Sequence, residues 1–210
     1  MTEHQTMNTI VHAAFRRDLQ RFDQALADFA GTQARADQLW TAWENYAHQL
    51  HQHHDDEETI FWPALRELGA DEALMGALDG EHDRMISGLE AATAAMKALQ
   101  QSPTPDNAST ARESVAAFAA ILDDHLTHEE RDLEPFAVAR FLGTPQAKAA
   151  QAAVRRAHRG SAGTFIAWLS DGADADARAA LAREIPPPVL FAMRRFGGRD
   201  YNRRIASVWT

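Results

Sequence analysis

The chain has 210 residues, no cysteine and a formal net charge of -9. Without thiols, disulfides, iron–sulfur clusters and thiolate metal sites are excluded, and imidazole and carboxylate remain as the strong metal ligands. The negative charge argues against nucleic acid as a partner, because phosphate binding depends on lysine and arginine. The sequence has no basic, apolar leader and no apolar run of about eighteen residues. We therefore predict a cytoplasmic protein that does not enter a membrane.

Apolar residues recur at helical spacing through the first 143 residues, and glycine-containing or proline-containing segments interrupt them. This pattern predicts four helices. They are placed at residues 5–30, 33–69, 71–101 and 109–142. Pro63 and Pro135 lie inside the second and fourth helices, where each removes a backbone hydrogen bond and predicts a kink or a new turn. With 45% hydrophobic residues, the chain can bury one good core.

From residue 144 the sequence becomes rich in alanine and later in arginine. We predict a helix to about residue 169, a turn at "SDGADAD", a short helix and an irregular end after three consecutive prolines. The chain is thus divided into a bundle, residues 1–143, and a helical extension packed on it, residues 144–210. Residues 191–210 carry five arginines and one aspartate, and we expect these arginines to pair with the acidic bundle.

One motif, His-x3-Glu-x5-Pro, begins at His53 and begins again 72 positions later at His125. Its glutamates are Glu57 and Glu129. A histidine and a glutamate four residues apart lie on one face of a helix and can point at one centre. The acids next to these glutamates are expected on the solvent side of the helices; they are Asp55, Asp56, Glu58 and Glu130. Three histidines off the ligand face are expected either to be solvated or to support the ligands from outside, namely His48, His51 and His128.

Two further histidines fall at the depth of the motifs if consecutive helices are antiparallel. His12 lies 18 residues before the predicted end of the first helix, and His53 lies 20 residues after the start of the second. The second pair of helices brings His82 level with His125 in the same way. Four histidines and two carboxylates are costly to bury together unless cations pair with them. The spacing therefore predicts a metal centre, in which nitrogen and oxygen ligands favour iron, with manganese and zinc as alternatives.

This order of side chains resembles the hemerythrin-like family, also called HHE cation-binding domains, over residues 5–143. The resemblance also covers the segments "EETIFWP" and "EERDLEP" that complete the two motifs. It implies an all-α, antiparallel up-down four-helix bundle around two iron ions, Fe²⁺ or Fe³⁺, bridged by the two glutamates and an oxo or hydroxo group. The Glu-x-x-His motif of ferritin-like di-iron bundles does not occur in the sequence. The metal ligands that the resemblance implies are His12, His53, Glu57, His82, His125 and Glu129.

The sequence departs from the family at its third helix. Hemerythrins that carry oxygen usually have His-x3-His there, whereas Leu78 and Ile86 flank His82 at that spacing. One ligand is therefore missing. His54 is one candidate to replace it, although a neighbouring residue points about 100° away around the helix. Tyr46 is the other, because it lies two turns before His53 on nearly the same face.

The resemblance implies a small ligand, namely O2, hydrogen peroxide or nitric oxide, and leaves three functions open. The first is an enzyme, a catalase-like or peroxidase-like di-iron centre that uses the incomplete coordination as its reactive position. The second is an O2 or iron sensor or store without turnover, in which the extension reports the metal state to a protein partner that the sequence does not define. The third is a structural bundle that holds zinc or manganese.

Overall fold

The computed structural model describes residues 6–209 and contains only helices and turns over that range. This confirms the prediction of an all-α bundle. No described helix is long and apolar enough to cross a membrane. The bundle consists of α1 (Met7–Ala27), α2 (Gln33–Asp56), α3 (Trp62–Glu67), α4 (Glu72–Gln101), α5 (Pro105–His128) and α6 (Glu134–Phe136). The extension consists of α7 (Pro145–Ala157), α8 (Ala162–Ser170), α9 (Ala175–Glu184), α10 (Pro187–Ala192) and α11 (Arg199–Arg204).

Side-chain caps set where the long helices begin. Thr6, Thr32, Asp71 and Thr104 each accept a hydrogen bond from the backbone N–H three residues later, which satisfies a donor that the first helical turn leaves free. The cap at Thr104 starts α5 at Pro105, four residues before the predicted start at 109, because proline fits the first position of a helix.

Neighbouring helices of the bundle run antiparallel. Residues near the start of one helix contact residues near the end of its neighbour, and residues near its end contact the neighbour's start. Hydrogen bonds that fix these directions join Asn8 to Glu129 and Asp23 to Arg112 between α1 and α5, and Gln33 to Gln100 between α2 and α4. Between α1 and α2, Phe15 meets Tyr46 and Phe22 meets Trp43 with ring centroids 5.7 and 5.2 Å apart.

The two motif prolines follow wide π turns. These turns span Glu57–Phe61 and Glu129–Leu133, so each begins at the motif glutamate. The N–H of Trp62 bonds to the carbonyl of Glu57, five residues back. Proline cannot donate to the carbonyl four residues before it, and a π turn lets the helix continue past that missing bond. The helices therefore continue through the motifs, with one turn widened at each glutamate.

The extension packs on the outer side of α1 and α2. Trp168 contacts Phe15 and Trp209 contacts Phe22, with ring centroids 5.1 and 5.0 Å apart. The single helix predicted to residue 169 is wrong, since α7 and α8 are separated by a turn at residues 158–161. His158 in this turn bonds to Asp56 of α2 at 2.8 Å, and Gly160 weakens the helix there. The division at residue 143 stays a prediction, because one hydrophobic core includes residues of both parts.

The expected pairing of the C-terminal arginines with the bundle is wrong. Arg203 pairs with Asp200 inside the extension. Among the described residues, no acid lies within ion-pair distance of Arg194, Arg195, Arg199 or Arg204. Arg195 and Arg199 instead lie over the exposed ring of Phe196, 5.8 and 5.3 Å from its centroid. A guanidinium is attracted electrostatically to the face of an aromatic ring even where no carboxylate is near, and at an exposed ring it stays in contact with water.

A buried carboxylate joins the extension to the bundle. Asp18 is 2% exposed and accepts hydrogen bonds from the indole of Trp168 at 2.7 Å and from Arg17 at 2.8 Å. Arg21 bonds both to Asp18 and to Asp171, and Asp171 accepts a hydrogen bond from the hydroxyl of Tyr201 at 2.9 Å. Each charged group in this network is paired with an opposite charge, and this pairing offsets the free-energy cost of burying it.

The substitution Asp18→Ala is predicted to destabilise the fold by about 3 kcal/mol, because it leaves the buried Trp168 N–H without an acceptor and removes the carboxylate that neutralises Arg17. Urea unfolding followed by circular dichroism measures the change. Asp23→Ala is the matched control, since Asp23 also pairs with an arginine but is half-exposed, and its effect should be much smaller. Equal effects of the two substitutions would contradict a structural role for the buried network.

Candidate metal centre

Seven buried or nearly buried side chains from all four long helices converge in the bundle. They comprise two overlapping groups, and within each group the possible ligand atoms lie within 4.8 Å of one another. We call these groups position A and position B. Position A is formed by His54, Glu57, His82 and His125, and position B by His12, His53, Glu57 and Glu129. All six ligands implied by the resemblance are thus brought together, and His54 joins them.

The atoms that face inward in these positions have no hydrogen-bond partner among the described residues. They are the Nε2 atoms of all five histidines, both oxygens of Glu57 and Oε2 of Glu129. A buried polar atom without a partner costs free energy, and native proteins rarely leave several together. Imidazole nitrogens and carboxylate oxygens are good ligands for iron, manganese and zinc. Cations are therefore the partners that this set of donors fits.

Glu57 lies between the two positions. Its Oε1 is 3.1 Å from Nε2 of His53, and its Oε2 is 3.6 Å from Nε2 of His82. Each oxygen thus faces a different position. Glu129 differs, because its Oε2 is 3.2 Å from Nε2 of His12 while its Oε1 accepts a hydrogen bond from Asn8 at 3.1 Å. Its Oε2 is therefore the oxygen without a hydrogen bond among the described residues.

Carboxylates outside the two positions hold the outer nitrogens of three histidines. Nδ1 of His12 bonds to Glu130 at 2.9 Å, and Nδ1 of His82 bonds to Glu58 at 2.8 Å. Glu58 is exposed, as expected, and Glu130 is partly exposed, but each also bonds to a histidine of the cluster, which the sequence did not predict. Each follows a motif glutamate directly, so the two residues of each Glu-Glu pair point about 100° apart, one inward and one to a histidine of the neighbouring helix. The repeated Glu-Glu pair is the sequence signal that could have revealed them.

Glu81 plays the same part for His125. Its Oε2 bonds to Nδ1 of His125 at 2.9 Å, and its Oε1 bonds to Nδ1 of His128 at 2.8 Å. His128 lies outside both positions, and His48 and His51 are exposed, as expected. A bond to the outer nitrogen fixes the ring and its tautomer, and it makes the inward nitrogen a better ligand. No sequence pattern marked Glu81, which precedes His82.

The two candidates for the missing ligand have different surroundings. His54 is 8% exposed, and its ring lies 4.4 Å from that of His82. The 100° between His53 and His54 suits two adjacent positions, because one histidine can face each. The ring of Tyr46 contacts Phe15, Phe22, Trp43 and Phe118 instead. Phe15 also contacts His53, and the buried hydroxyl of Tyr46 has no hydrogen-bond partner among the described residues.

Burial and crowding shift the titration of the inward groups. Burial, helped by the neighbouring charge of His12, lowers the pKa of His53 to about 3. Burial also lowers the pKa of His12, but the adjacent carboxylates Glu129 and Glu130 outweigh it and raise that pKa to about 9. Burial, with the like charge of Glu129, holds the pKa of Glu57 well above its usual range. The two inner carboxylates thus need positive charge beside them to ionise together.

A surface cleft between α4 and α5 reaches the edge of position A. His125 is part of its wall, next to Glu81 and Ile121. On other sides the positions are closed by aromatic rings, since Trp62 stacks on His82 at 4.6 Å and Phe15 lies 5.5 Å from His53. A small molecule would meet mainly apolar walls near the donor atoms.

Glu57→Ala is predicted to abolish binding of two metal ions per chain, because Glu57 contributes to both positions. His125→Ala should do the same by removing one nitrogen from position A. Metal content per chain after loading and desalting measures this. His128→Ala is the control and should retain two ions, since Glu81 keeps its bond to His125. Full occupancy in either of the first two variants would show that the ligand set is wrong.

Glu58→Ala is predicted to lower the affinity for metal by about 10- to 100-fold, because the ring of His82 loses the carboxylate that orients it. Asp55→Ala removes an exposed acid from the same run and should change the affinity little. Competition with a chelator of known affinity measures both. A loss of the same size in the two variants would mean that only the overall negative charge matters.

Comparison with known families connects this geometry to one of them. The sequence model of the family described as "Hemerythrin HHE cation binding domain" matches residues 9–137. No curated protein and no solved structure matches the chain. The matched segment contains all seven side chains of positions A and B. The chain belongs to the hemerythrin HHE cation-binding domain family.

Proposed function

We propose that the chain is a non-haem di-iron protein that binds or reacts with O2, hydrogen peroxide or nitric oxide. One observation carries the proposal: eight inward donor atoms from five histidines and two glutamates lie together in the core without hydrogen bonds to any described residue. Nitrogen and oxygen donors in this mixture suit iron. Two iron ions would supply electrons and open coordination sites for such small ligands. A cytoplasmic location is part of this proposal.

The side chains of this chain would have three tasks around the metal. His54, His82 and His125 would hold one ion, and His12 and His53 with Glu129 the other, with Glu57 between them. Glu58, Glu81 and Glu130 keep three of the rings in place through their outer nitrogens. The rings of Phe15 and Trp62 exclude water from the donor atoms, which strengthens electrostatic interactions inside the pocket.

Breakdown of hydrogen peroxide, as in a catalase-like or peroxidase-like centre, is the catalytic form of this proposal. The cleft beside His125 gives a small ligand an approach to position A. The residues there can orient a bound ligand, but no side chain outside the two positions is assigned as a catalytic acid or base. Peroxide chemistry would thus depend on the metal positions themselves.

An O2 or iron sensor or store without turnover is the second candidate. A chain of packed rings favours it: His53 lies against Phe15, and Phe15 lies against Trp168 of the extension. A structural change at position B could thereby be transmitted through these rings to α8. The sensor would need a partner that recognises the extension.

The test is the metal content and absorption spectrum of anaerobically reduced, iron-loaded protein before and after air and then peroxide. About two irons per chain, as the two positions require, with new charge-transfer bands would support the di-iron proposal. Steady evolution of oxygen gas from peroxide would support the enzyme, and reversible spectral change without turnover the sensor. Glu57→Ala should show neither response. Zinc as the only bound metal in natively purified protein, with no response to oxidants, would overturn the proposal.

A further inference from the structure

Exposed aromatic and basic side chains lie together on the C-terminal part of the extension. We call them the basic face, and they are Phe191, Arg194, Arg195, Phe196 and Arg199. Phe191 and Phe196 are 65% and 57% exposed, which makes them the two most exposed large hydrophobic residues that the structure describes. The three arginines are exposed as well, and no acid within residues 6–209 lies within ion-pair distance of them. Large apolar side chains grouped at a surface mark sites where another body binds.

The opposite side of this segment is fixed to the rest of the chain. Leu190 and Met193 pack against the hydrophobic core. A wide π turn, Met193–Gly197, follows α10 and lies directly on α8. A Cβ atom at Gly163 of α8 would come within 2.5 Å of the backbone of Gly197, so the two backbones touch. The basic face is therefore the outward side of a packed amphipathic segment and not part of a free tail.

The rings and the positive charges of the basic face are intermixed. The guanidinium groups of Arg195 and Arg199 lie 5.8 and 5.3 Å from the centroid of Phe196. An anionic phospholipid bilayer satisfies both kinds of group, because its phosphates pair with the arginines while the rings enter the boundary below the headgroups. A carboxylate-rich protein surface would pair with the arginines but give the rings no apolar contact. The mixture therefore favours a membrane surface over an acidic protein.

The distribution of charge along the chain would orient it on such a membrane. Residues 191–210 carry five arginines and one aspartate, whereas the whole chain has a net charge of -9. An anionic surface thus attracts this segment and repels the rest of the chain. The helix α10 has only six residues, and no described helix is able to span a bilayer. The contact would be confined to the membrane surface.

We propose that the basic face binds the surface of an anionic phospholipid membrane. The phenylalanine rings insert at the level of the headgroups, and the arginines pair with lipid phosphates. This inference does not depend on the proposed function, since no residue of the basic face belongs to position A or position B. The extension then serves to hold the metal-binding bundle beside a membrane.

The test is co-sedimentation of the full-length protein with lipid vesicles. One set consists of phosphatidylcholine alone, and the other contains phosphatidylcholine and phosphatidylglycerol in equal amounts. The protein should sediment with the second set and stay in solution with the first. Added salt should weaken the binding, because ions screen the attraction between the arginines and the phosphates.

Arginine substitutions measure the electrostatic part. Arg194→Gln combined with Arg195→Gln should weaken binding to the anionic vesicles by about 25-fold, which is about fivefold for each arginine removed. Arg155→Gln combined with Arg156→Gln is the matched control. These two neighbouring arginines are also exposed, but they belong to α7, which packs on α3 and the first π turn. The control should bind the vesicles as the wild type does.

Phenylalanine substitutions measure the apolar part. Phe191→Ser combined with Phe196→Ser should weaken binding by about tenfold or more, because the rings no longer leave water. Ile86→Ser is the matched control, since Ile86 is also exposed but belongs to α4 of the bundle. It should leave binding unchanged. Circular dichroism checks that each variant is folded.

A fluorescent label reports the contact directly. The chain has no cysteine, so Ala192→Cys provides a single attachment point for a polarity-sensitive dye between the two rings. Its emission should shift to the blue when anionic vesicles are added. The same dye at Ala152→Cys, an exposed position in α7, should show no shift.

Two outcomes would overturn the proposal. The first is a folded wild-type protein that does not sediment with anionic vesicles at low salt. The second is binding that is lost in the arginine variant but kept in the phenylalanine variant, with no shift of the dye at position 192. That result would mean attraction by charge alone and would point to a soluble acidic partner. Loss of metal binding would overturn the proposed function and leave this inference intact.

Discussion

The buried donor atoms in the bundle core need cations beside them. Five imidazoles and two carboxylates in the core of a small bundle would oppose folding if they stayed unpaired. Because the unfolded chain offers no assembled site, the free energy of binding metal adds to the free energy of folding. The aromatic rings that close the pocket keep water from serving as the substitute partner. The same residues therefore determine both metal binding and the stability of the fold.

Carboxylates lie around this centre in two shells, one among the donor atoms and one behind the histidine rings. Glu57 and Glu129 face inward, and their neighbours Glu58 and Glu130 reach across to histidines on the adjacent helices. The same dipeptide thus provides a ligand and an orienting group from consecutive positions. Arg16 bonds both to Glu130, at 2.6 Å, and to Asp123 of α5, so the outer acid is itself held. Such nested bonds leave few ways for the ligand rings to rotate.

Sequence spacing predicted the long helices and the convergence of His12, His53, His82 and His125, because helical periodicity and hairpin length are enough to bring them to one depth. It could not show that His54 lies beside His82 while Tyr46 lies among aromatic rings, since both depend on packing between helices. It also missed Glu81 and the turn at residues 158–161. These depend on contacts between distant segments, which a single sequence with no repeat at those positions does not reveal.

Each π turn sets how the segment after a His–Glu pair is rotated about the helix axis. A π turn holds one residue more than the α-helical turn it replaces, so the residues beyond it are rotated about 100° relative to an uninterrupted helix. His53 and Glu57 precede this rotation, whereas Trp62, which stacks on His82, follows it. Deleting a residue between 57 and 61 would leave the composition almost unchanged yet turn Trp62 away from the metal pocket. The length of this segment therefore matters more for the shape of the metal pocket than the identity of its exposed residues.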